Sequence, residues 1–180
     1  TLDFAGRLAR RLGAPVQESV VHAVDGVDLR IEKGEVVGLV GESGCGKSTL
    51  GRIVVGLHAP SEGRKLWRGI DVSAMGDRER RAMQLEGQMI FQDPYASLNP
   101  RLRVEDIIGE APRAHGLISA ADKTSYVAEL LQRVGLDGAL ARRFPHQFSG
   151  GQRARIGIAR ALAVKPNFLV CDEAVAALDV

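Results

Sequence analysis

The feature that most constrains the fold of this chain is the stretch of residues 41–49, which reads Gly-Glu-Ser-Gly-Cys-Gly-Lys-Ser-Thr. It matches the P-loop pattern, in which backbone N–H groups surround the phosphates of a nucleotide. The apolar run 36–40 precedes it, and a helical pattern over 48–57 follows it. A chance match to the P-loop pattern would not also have a predicted strand before it and a predicted helix after it. The sequence therefore predicts an α/β fold in which a buried parallel strand leads into a phosphate-binding loop.

The residue types in this loop suit a nucleoside triphosphate. The glycines let N–H groups turn inward, and the following helix adds the positive end of its dipole. Lys47 can reach the β- and γ-phosphates, while the hydroxyl of Ser48 is placed to ligate Mg²⁺. The predicted nucleotide-binding residues are Gly41, Glu42, Ser43, Gly44, Cys45, Gly46, Lys47, Ser48 and Thr49.

The two cysteines of the chain point to no metal or disulfide framework. Cys45 and Cys171 lie far apart in sequence and form no CxxC pattern, which fits a reducing compartment. A thiol at a helix N-terminus can have a lowered pKa, but a small residue tolerated in the loop is the simpler interpretation of Cys45. Cys171 is expected to be inert core.

Composition excludes several classes of function. The formal charge of +2 gives no electrostatic case for nucleic acid or an anionic membrane surface. Aromatic residues make up 4% of the chain, too few for base-stacking platforms. No apolar run is long enough to cross a bilayer, so a membrane role would act through a partner. With 180 residues, 45% of them hydrophobic, we expect one domain with one core, with or without a smaller lobe.

Further motifs lie downstream of the P-loop. Residues 149–152 read Ser-Gly-Gly-Gln and enter a helical pattern, which indicates a second phosphate-binding element. Asp172 and Glu173 end an apolar strand, where α/β sheets bind ligands. We expect Asp172 to approach Mg²⁺ and Glu173 to act on the attacking water as general base. Gln92 ends another strand, where its amide is a candidate ligand of Mg²⁺ or water.

Hydrophobic periodicity predicts the elements that carry these motifs. The predicted strands cover 20–31, 36–40, 65–70, 88–91 and 168–171, with those at 36–40, 88–91 and 168–171 buried. The predicted helices cover 48–57, 77–86 and 152–163, with a further amphipathic helix from a capping-box-like start at Ser119 and Asp122 to a stop at Gly135. Trp67 is interpreted as a packing residue.

The order of these motifs resembles that of ABC transporter ATPase subunits. The resemblance covers nearly the whole chain and implies a P-loop NTPase core, with a RecA-like parallel sheet, flanking helices and an N-terminal antiparallel β part. It implies one nucleotide-binding domain over 1–180, incomplete at both ends. Within it, residues 1–93 and 148–180 would form the catalytic core, and about 94–147 an inserted helical lobe.

A longer segment resembles one branch of the family. Residues 91–101, together with 23–27 and 151–161, are similar to oligopeptide, dipeptide and nickel importer ATPases, in particular to the second of two non-identical subunits. This implies a peripheral subunit on the cytoplasmic face of the inner membrane that hydrolyses ATP with Mg²⁺ to power import of oligopeptides or dipeptides. The individual solute is left open.

The resemblance also implies partners and residue roles. Two ATPase subunits, identical or not, would form a head-to-tail dimer that docks on permease subunits and works indirectly with a solute-binding protein, without nucleic acid. Glu173 and Gln92 would be catalytic, and Ser48, Gln92 and Asp172 would hold the metal. The nucleotide bound to the partner subunit would be contacted by five residues of this chain: Ser149, Gly150, Gly151, Gln152 and Asp179. Leu178 precedes Asp179 in the loop that crosses between the sites.

Some residues depart from the family pattern. Ala174 and Ala176 stand where Pro and Ser are usual, and residues 16–21 lack the aromatic that commonly stacks on adenine. No histidine follows Asp172, although the family has a switch histidine beyond the next strand. We expect this to reflect truncation, and we expect the 180 residues alone to be nearly inactive.

Two other interpretations stay open on sequence alone. One is a non-transport ABC ATPase of the translation or DNA-repair type. The segment between the two phosphate-binding motifs has no coiled coil or cysteine cluster, which disfavours the repair type. The other is that the 180 residues form a binding module without turnover.

Overall fold

The computed structural model describes residues 22–93 and 97–173, which form five α-helices and four short strands. The helices are α1 (Lys47–Val55), α2 (Asp77–Glu86), α3 (Val104–Ala114), α4 (Lys123–Arg133) and α5 (Gly150–Leu162). The strands are β1 (Leu66–Trp67), β2 (Ile70–Asp71), β3 (Gly87–Ile90) and β4 (Phe168–Cys171). Short 3₁₀ turns cover Val72–Ala74, Gly138–Arg142 and Pro145–Gln147. The chain divides into two units, Thr1–Gly46 and Lys47–Val180.

Strands β3 and β4 form a parallel pair with Gly87 opposite Phe168 and Ile90 opposite Cys171. The pairing continues past the strands, because the Asp172 amide donates to the Ile90 carbonyl at 3.0 Å. Parallel strands need a long crossover, which the helices between them supply. The carboxyl ends of both strands therefore lie at the same edge of the sheet.

Helix α1 packs closely on this pair. A Cβ built on Gly51 would lie 3.1 Å from Cγ1 of Val170, so a side chain at this position would require Val170 to shift by a few tenths of an ångström. The α1 residue Val55 and the β3 residue Met89 are both 5% exposed. The end of α1 that carries Lys47 and Ser48 is thereby fixed relative to the sheet.

The two strands differ in burial. The predicted burial of β3 is confirmed, since three of its four residues are buried. Strand β4 alternates instead: Leu169 and Cys171 are exposed, while Phe168 and Val170 are partly covered. The predictions of a buried strand at 168–171 and of a core Cys171 are wrong, because α1 covers the β4 face that carries Val170 and the opposite face is open among the described residues.

The predicted strand at 36–40 is absent from the described structure. Val36 is 96% exposed and Val40 is 94% exposed. Residues 22–31 also form no strand, and residues 20–21 of that prediction lie outside the described part. An apolar run indicates a preference for burial, but a strand forms only with a hydrogen-bonded neighbour, and no described strand pairs with this segment. The prediction of a strand directly before the P-loop is thus wrong, while the prediction of a helix after it is confirmed by α1.

The predicted edge strand at 65–70 is a hairpin of β1 and β2 instead. Its two-residue turn is made by Arg68 and Gly69, with φ of 51° and 80°. Positive φ at both central positions matches the twist of a tight hairpin. The Trp67 ring meets Phe168 edge-on at 5.9 Å, which confirms its interpretation as a packing residue.

An apolar cluster lies among α3, α4 and α5. Its central side chains are fully buried, as expected when amphipathic helices turn their apolar faces to each other. These are Val104 and Ile108 of α3, Val127 and Leu131 of α4, and Ile156 and Ala159 of α5. The bounds predicted for α2 are confirmed, while α5 begins two residues earlier than predicted.

Candidate nucleotide site

Two acidic residues and a glutamine lie together at the carboxyl edge of the parallel pair. Asp172 and Glu173 directly follow β4, and Gln92 follows β3 after one intervening residue. Asp172 is partly buried, while Glu173 and Gln92 are exposed. The sheet thus brings together three side chains that the sequence separates by about 80 positions.

Ser48 joins this edge from helix α1. Its Oγ donates a hydrogen bond to Oδ1 of Asp172 at 2.8 Å, in a partly buried position. Hydrogen bonds to ionised acceptors are stronger than neutral ones, so this contact orients both side chains. The first turn of α1 and the end of β4 therefore present a hydroxyl and a carboxylate side by side.

Gln92 and Glu173 form a second contact at the same edge. Nε2 of Gln92 donates to Oε2 of Glu173 at 2.5 Å. Glu173 also has φ of 48°, a left-handed backbone conformation that costs a residue with a Cβ about 1–2 kcal/mol. Sequence reasoning did not find this conformation, because no local residue pattern requires it. In this conformation, the Glu173 carboxylate contacts Gln92, which follows β3.

The donor set at this edge fits magnesium. Mg²⁺ prefers oxygen ligands, keeps several waters, and usually takes one or two carboxylates together with phosphate oxygens. Ser48 and Asp172 supply a hydroxyl and a carboxylate within hydrogen-bond distance, and the Gln92 amide oxygen lies on the neighbouring strand end. Within residues 22–93 and 97–173, no three His, Cys, Asp or Glu side chains form a metal cluster.

The Ser149 motif forms the start of helix α5. Ser149 is the N-cap, with its Oγ accepting from the Gln152 amide at 3.3 Å, while Oε1 of Gln152 accepts from the Ser149 amide at 3.0 Å. This reciprocal capping box fixes the chain entry without using the amides of Gly150 and Gly151. A Cβ on Gly150 would meet no atom within 4 Å, so the outer side of the cap is open.

The glycine-rich residues 41–46 belong to the unit Thr1–Gly46. Gly44 and Gly46 have φ of 82° and 99°, which favours glycine at both positions. A Cβ on Gly46 would lie 2.1 Å from the carbonyl oxygen of Ala23, so no side chain fits there. Cys45 is exposed, and its amide donates to the Glu42 carbonyl at 3.3 Å in a tight turn.

Comparison with known proteins decides the family. The family described as ABC transporter matches residues 24–176. The chain belongs to the ABC transporter family. This ABC chain is 52% identical over 165 residues to a putative oligopeptide transport ATP-binding protein, YkfD, of Bacillus subtilis, covering 91% of the chain and 50% of the relative. It is 50% identical over 161 residues to OppF of Escherichia coli, covering 89% of the chain and 48% of that relative.

Solved structures agree with the fold. A dimeric, post-hydrolysis structure of the ATP-binding cassette MJ0796 bound to ADP and Pi matches with a TM-score of 0.80 and 32% identity, over 92% of this ABC chain and 72% of that one. The α/β fold class and the family resemblance are thereby confirmed. The chain spans about half the length of the curated relatives it matches.

Several predicted positions of this ABC chain lie outside the described residues. They include Leu178 and Asp179, the departures at Ala174 and Ala176, the segment 16–21, and residues 94–96 of the stretch that resembles importer ATPases. No helix in the described part is both long and apolar enough to span a bilayer.

Proposed function

We propose that this chain is part of the ATP-hydrolysing subunit of an ABC importer for oligopeptides or dipeptides. The observation that carries the proposal is the arrangement at the carboxyl edge of the sheet, where Ser48 meets Asp172 and Gln92 meets Glu173. The proposed substrate class is supported by the names of relatives that are about 50% identical, which are oligopeptide and dipeptide transport ATP-binding proteins.

In the proposed site, residues 41–49 bind the phosphates of ATP. The positive φ values of Gly44 and Gly46 let backbone amides turn toward an anion, and Lys47 supplies a positive charge at the first turn of α1. Ser48, Asp172 and Gln92 would hold Mg²⁺, which supplies neutralisation of phosphate charge when it is bound. The hydrogen bond between Ser48 and Asp172 positions both oxygens before metal binds.

Glu173 is the proposed general base. It is exposed at the strand end, so a water molecule can reach its carboxylate, and Gln92 already holds one of its oxygens. The second oxygen is the acceptor we assign to the proton of the attacking water. Gln92 would orient that water or the metal through its amide.

The test of this role is Glu173→Gln in the full-length protein. We expect the ATP hydrolysis rate to fall about 10²–10⁴-fold, because the amide cannot accept the proton. ATP binding should persist, and the ATP-dependent dimer should accumulate in size-exclusion chromatography. Glu110→Gln, at an exposed position of α3, is the matched control and should hydrolyse ATP normally. A Glu173→Gln protein with the normal hydrolysis rate would rule out the base.

We also propose the assembly that this chemistry needs. Ser149, Gly150, Gly151 and Gln152 would contact the γ-phosphate of ATP bound to a second ATPase subunit, and Asp179 would lie in the loop that crosses between the sites. The open outer side of the α5 cap supports this, since it leaves room for a ligand from another chain. The proposed dimer has two ATPase subunits in head-to-tail contact. The two subunits are either two copies of this chain or this chain and a related one.

The remaining proposals concern the membrane. Residues 94–147 would form the lobe that docks on permease subunits at the cytoplasmic face of the inner membrane, with a solute-binding protein acting indirectly. The described helices of this segment share one apolar cluster with α5, so the lobe has the rigidity that docking needs. We expect cells that lack the full-length protein to lose oligopeptide uptake. The wild-type protein should restore uptake, and the Glu173→Gln protein should not.

A further inference from the structure

A partly buried arginine, Arg160, lies near the C-terminal end of α5. Arg160 donates from Nη1 to the carbonyl oxygen of Ser97. Burial lowers the pKa of Arg160. Because removing a guanidinium from water is costly, such a group is held where it makes a specific contact.

The acceptor of this contact belongs to the segment that follows Gln92. Ser97 lies five residues after Gln92 in sequence. The next residue, Leu98, is 3% exposed and belongs to the apolar cluster with Ile156 and Ala159 of α5. The segment is therefore attached to α5 both by apolar packing and by a charge-assisted hydrogen bond.

The other end of α5 carries the Ser149 capping box. The helix has 13 residues, which corresponds to about 20 Å of continuous backbone hydrogen bonding. A helix of this length moves as one body, so a displacement at the cap reaches Arg160 and, through it, Ser97. The two ends of α5 thus join the proposed γ-phosphate contact to the segment beyond Gln92.

We propose that Arg160 is a positioning residue that couples the Ser149 cap to the position of Gln92 in the same subunit. The proposal rests on the proposed function, because the cap moves only if it contacts ATP on a partner subunit. Arginine suits this role because its planar fork carries several donors and keeps its charge when partly buried. The acceptor is a backbone carbonyl, so the contact acts on the path of the chain rather than on the Ser97 side chain.

The same helix provides a matched control. Arg155 donates from Nη1 to the carbonyl oxygen of Gly135 at 3.3 Å. It is therefore also an α5 arginine bonded to a backbone carbonyl, but its acceptor follows α4 and lies 43 positions after Gln92 in sequence. Arg155→Met and Arg160→Met remove the same chemical group from the same helix.

The test compares these variants in the full-length protein, each also combined with Glu173→Gln so that ATP is retained. Hydrogen exchange of the 97–103 segment is measured with and without ATP and Mg²⁺. We expect ATP to slow exchange there in the Glu173→Gln protein and in its Arg155→Met version, but not in its Arg160→Met version. In the hydrolysing background, Arg160→Met should lower kcat about tenfold with KM changed less than about twofold. Arg160→Lys, which keeps a charge and a donor, should recover part of kcat.

Two results would overturn the proposal. One is an Arg160→Met protein that keeps both kcat and the ATP-dependent slowing of exchange. The other is an Arg160→Met protein whose exchange rises equally in α3, α4 and α5 with no selective change at 97–103, since that would mark a purely structural role. If the wild-type protein binds no ATP, the proposed function fails. The Arg160 contact is then judged by exchange without nucleotide, which should be faster at 97–103 in Arg160→Met than in Arg155→Met.

Discussion

The proposed chemistry depends on the hydroxyl group of Ser48. It donates to Asp172 at 2.8 Å and is also the proposed metal ligand from helix α1. We expect Ser48→Ala to lower ATP hydrolysis about 10- to 100-fold, because a hydrogen bond to a charged group and a metal ligand are both lost. The measurement is the ATP hydrolysis rate as a function of Mg²⁺ concentration. The Mg²⁺ concentration that gives half of the maximal rate should be higher for Ser48→Ala than for the wild-type protein.

Ser48→Thr is the control for this prediction. It keeps the hydroxyl on the same Cβ and should retain most of the activity and the wild-type Mg²⁺ requirement. An alanine variant with unchanged Mg²⁺ dependence would remove Ser48 from the proposed metal site.

At the scale of elements, the hairpin of β1 and β2 shows how far local sequence determines structure. The Arg68–Gly69 turn needs positive φ at both positions, and Asn-Gly is the preferred pair for such turns. Arg68→Asn should therefore raise the free energy of unfolding by a few tenths of a kcal/mol. Relief of the backbone strain contributes about 1 kcal/mol, and the loss of an exposed ion pair offsets part of that gain. Urea denaturation with an unchanged m-value is the measurement.

The ion pair lost in this variant joins Arg68 to Glu86 at 3.1 Å, with the arginine side chain 63% exposed. Glu86 also accepts from Nε1 of Trp67 at 3.1 Å, so its carboxylate keeps a partner. Arg68→Ala loses the ion pair without relieving the backbone strain, and it should be less stable than wild type. If both variants were equally destabilised, the ion pair rather than the turn would control stability here.

The helical cluster permits a sharper stability prediction. Leu131 is fully buried in the core shared by α3, α4 and α5. Leu131→Ala should lower the free energy of unfolding by about 2–5 kcal/mol, because it removes apolar contacts and leaves a cavity. Leu117 is 42% exposed, and Leu117→Ala should change stability by less than about 0.5 kcal/mol. Equal losses in thermal or urea denaturation would contradict the core assignment.

Elements with a local signal were predictable, and those set by pairing were not. The helix at Asp77–Glu86 follows from its charged, helix-favouring sequence, and β3 from its apolar run before a proline. The apolar run at 36–40 carried the same signal but has no described strand beside it. Strand formation depends on a neighbour distant in sequence, which a local pattern does not contain.

The candidate site shows the same division. The glycines, Lys47 and the acids are predicted from motif chemistry, because a phosphate or a metal needs each of these residue types. The contact between Gln92 and Glu173 and the left-handed φ of Glu173 depend on how two strand ends meet. The link from Arg160 to Ser97 likewise joins positions that no sequence motif relates.

At the scale of the whole molecule, the decisive question is whether the P-loop and the Ser149 motif serve the same ATP from different subunits. Lys47→Ala damages the P-loop of a subunit. Gly150→Asp places a carboxylate on the open side of the α5 cap, where a Cβ meets no atom within 4 Å. An acid at a helix N-terminus is well tolerated by the helix, so this variant should fold normally while repelling a phosphate from a partner.

In a head-to-tail dimer these two defects should complement each other. Full-length Lys47→Ala and Gly150→Asp chains with different affinity tags are each expected to be nearly inactive alone. The purified mixed dimer should recover about half of the wild-type hydrolysis rate, because one of its two composite sites then has both motifs intact. Gly150→Ala, which adds a methyl group without charge, should remain largely active alone. If mixed dimers that contain both chains show no recovery, each subunit uses its own Ser149 motif, and the proposed assembly is wrong.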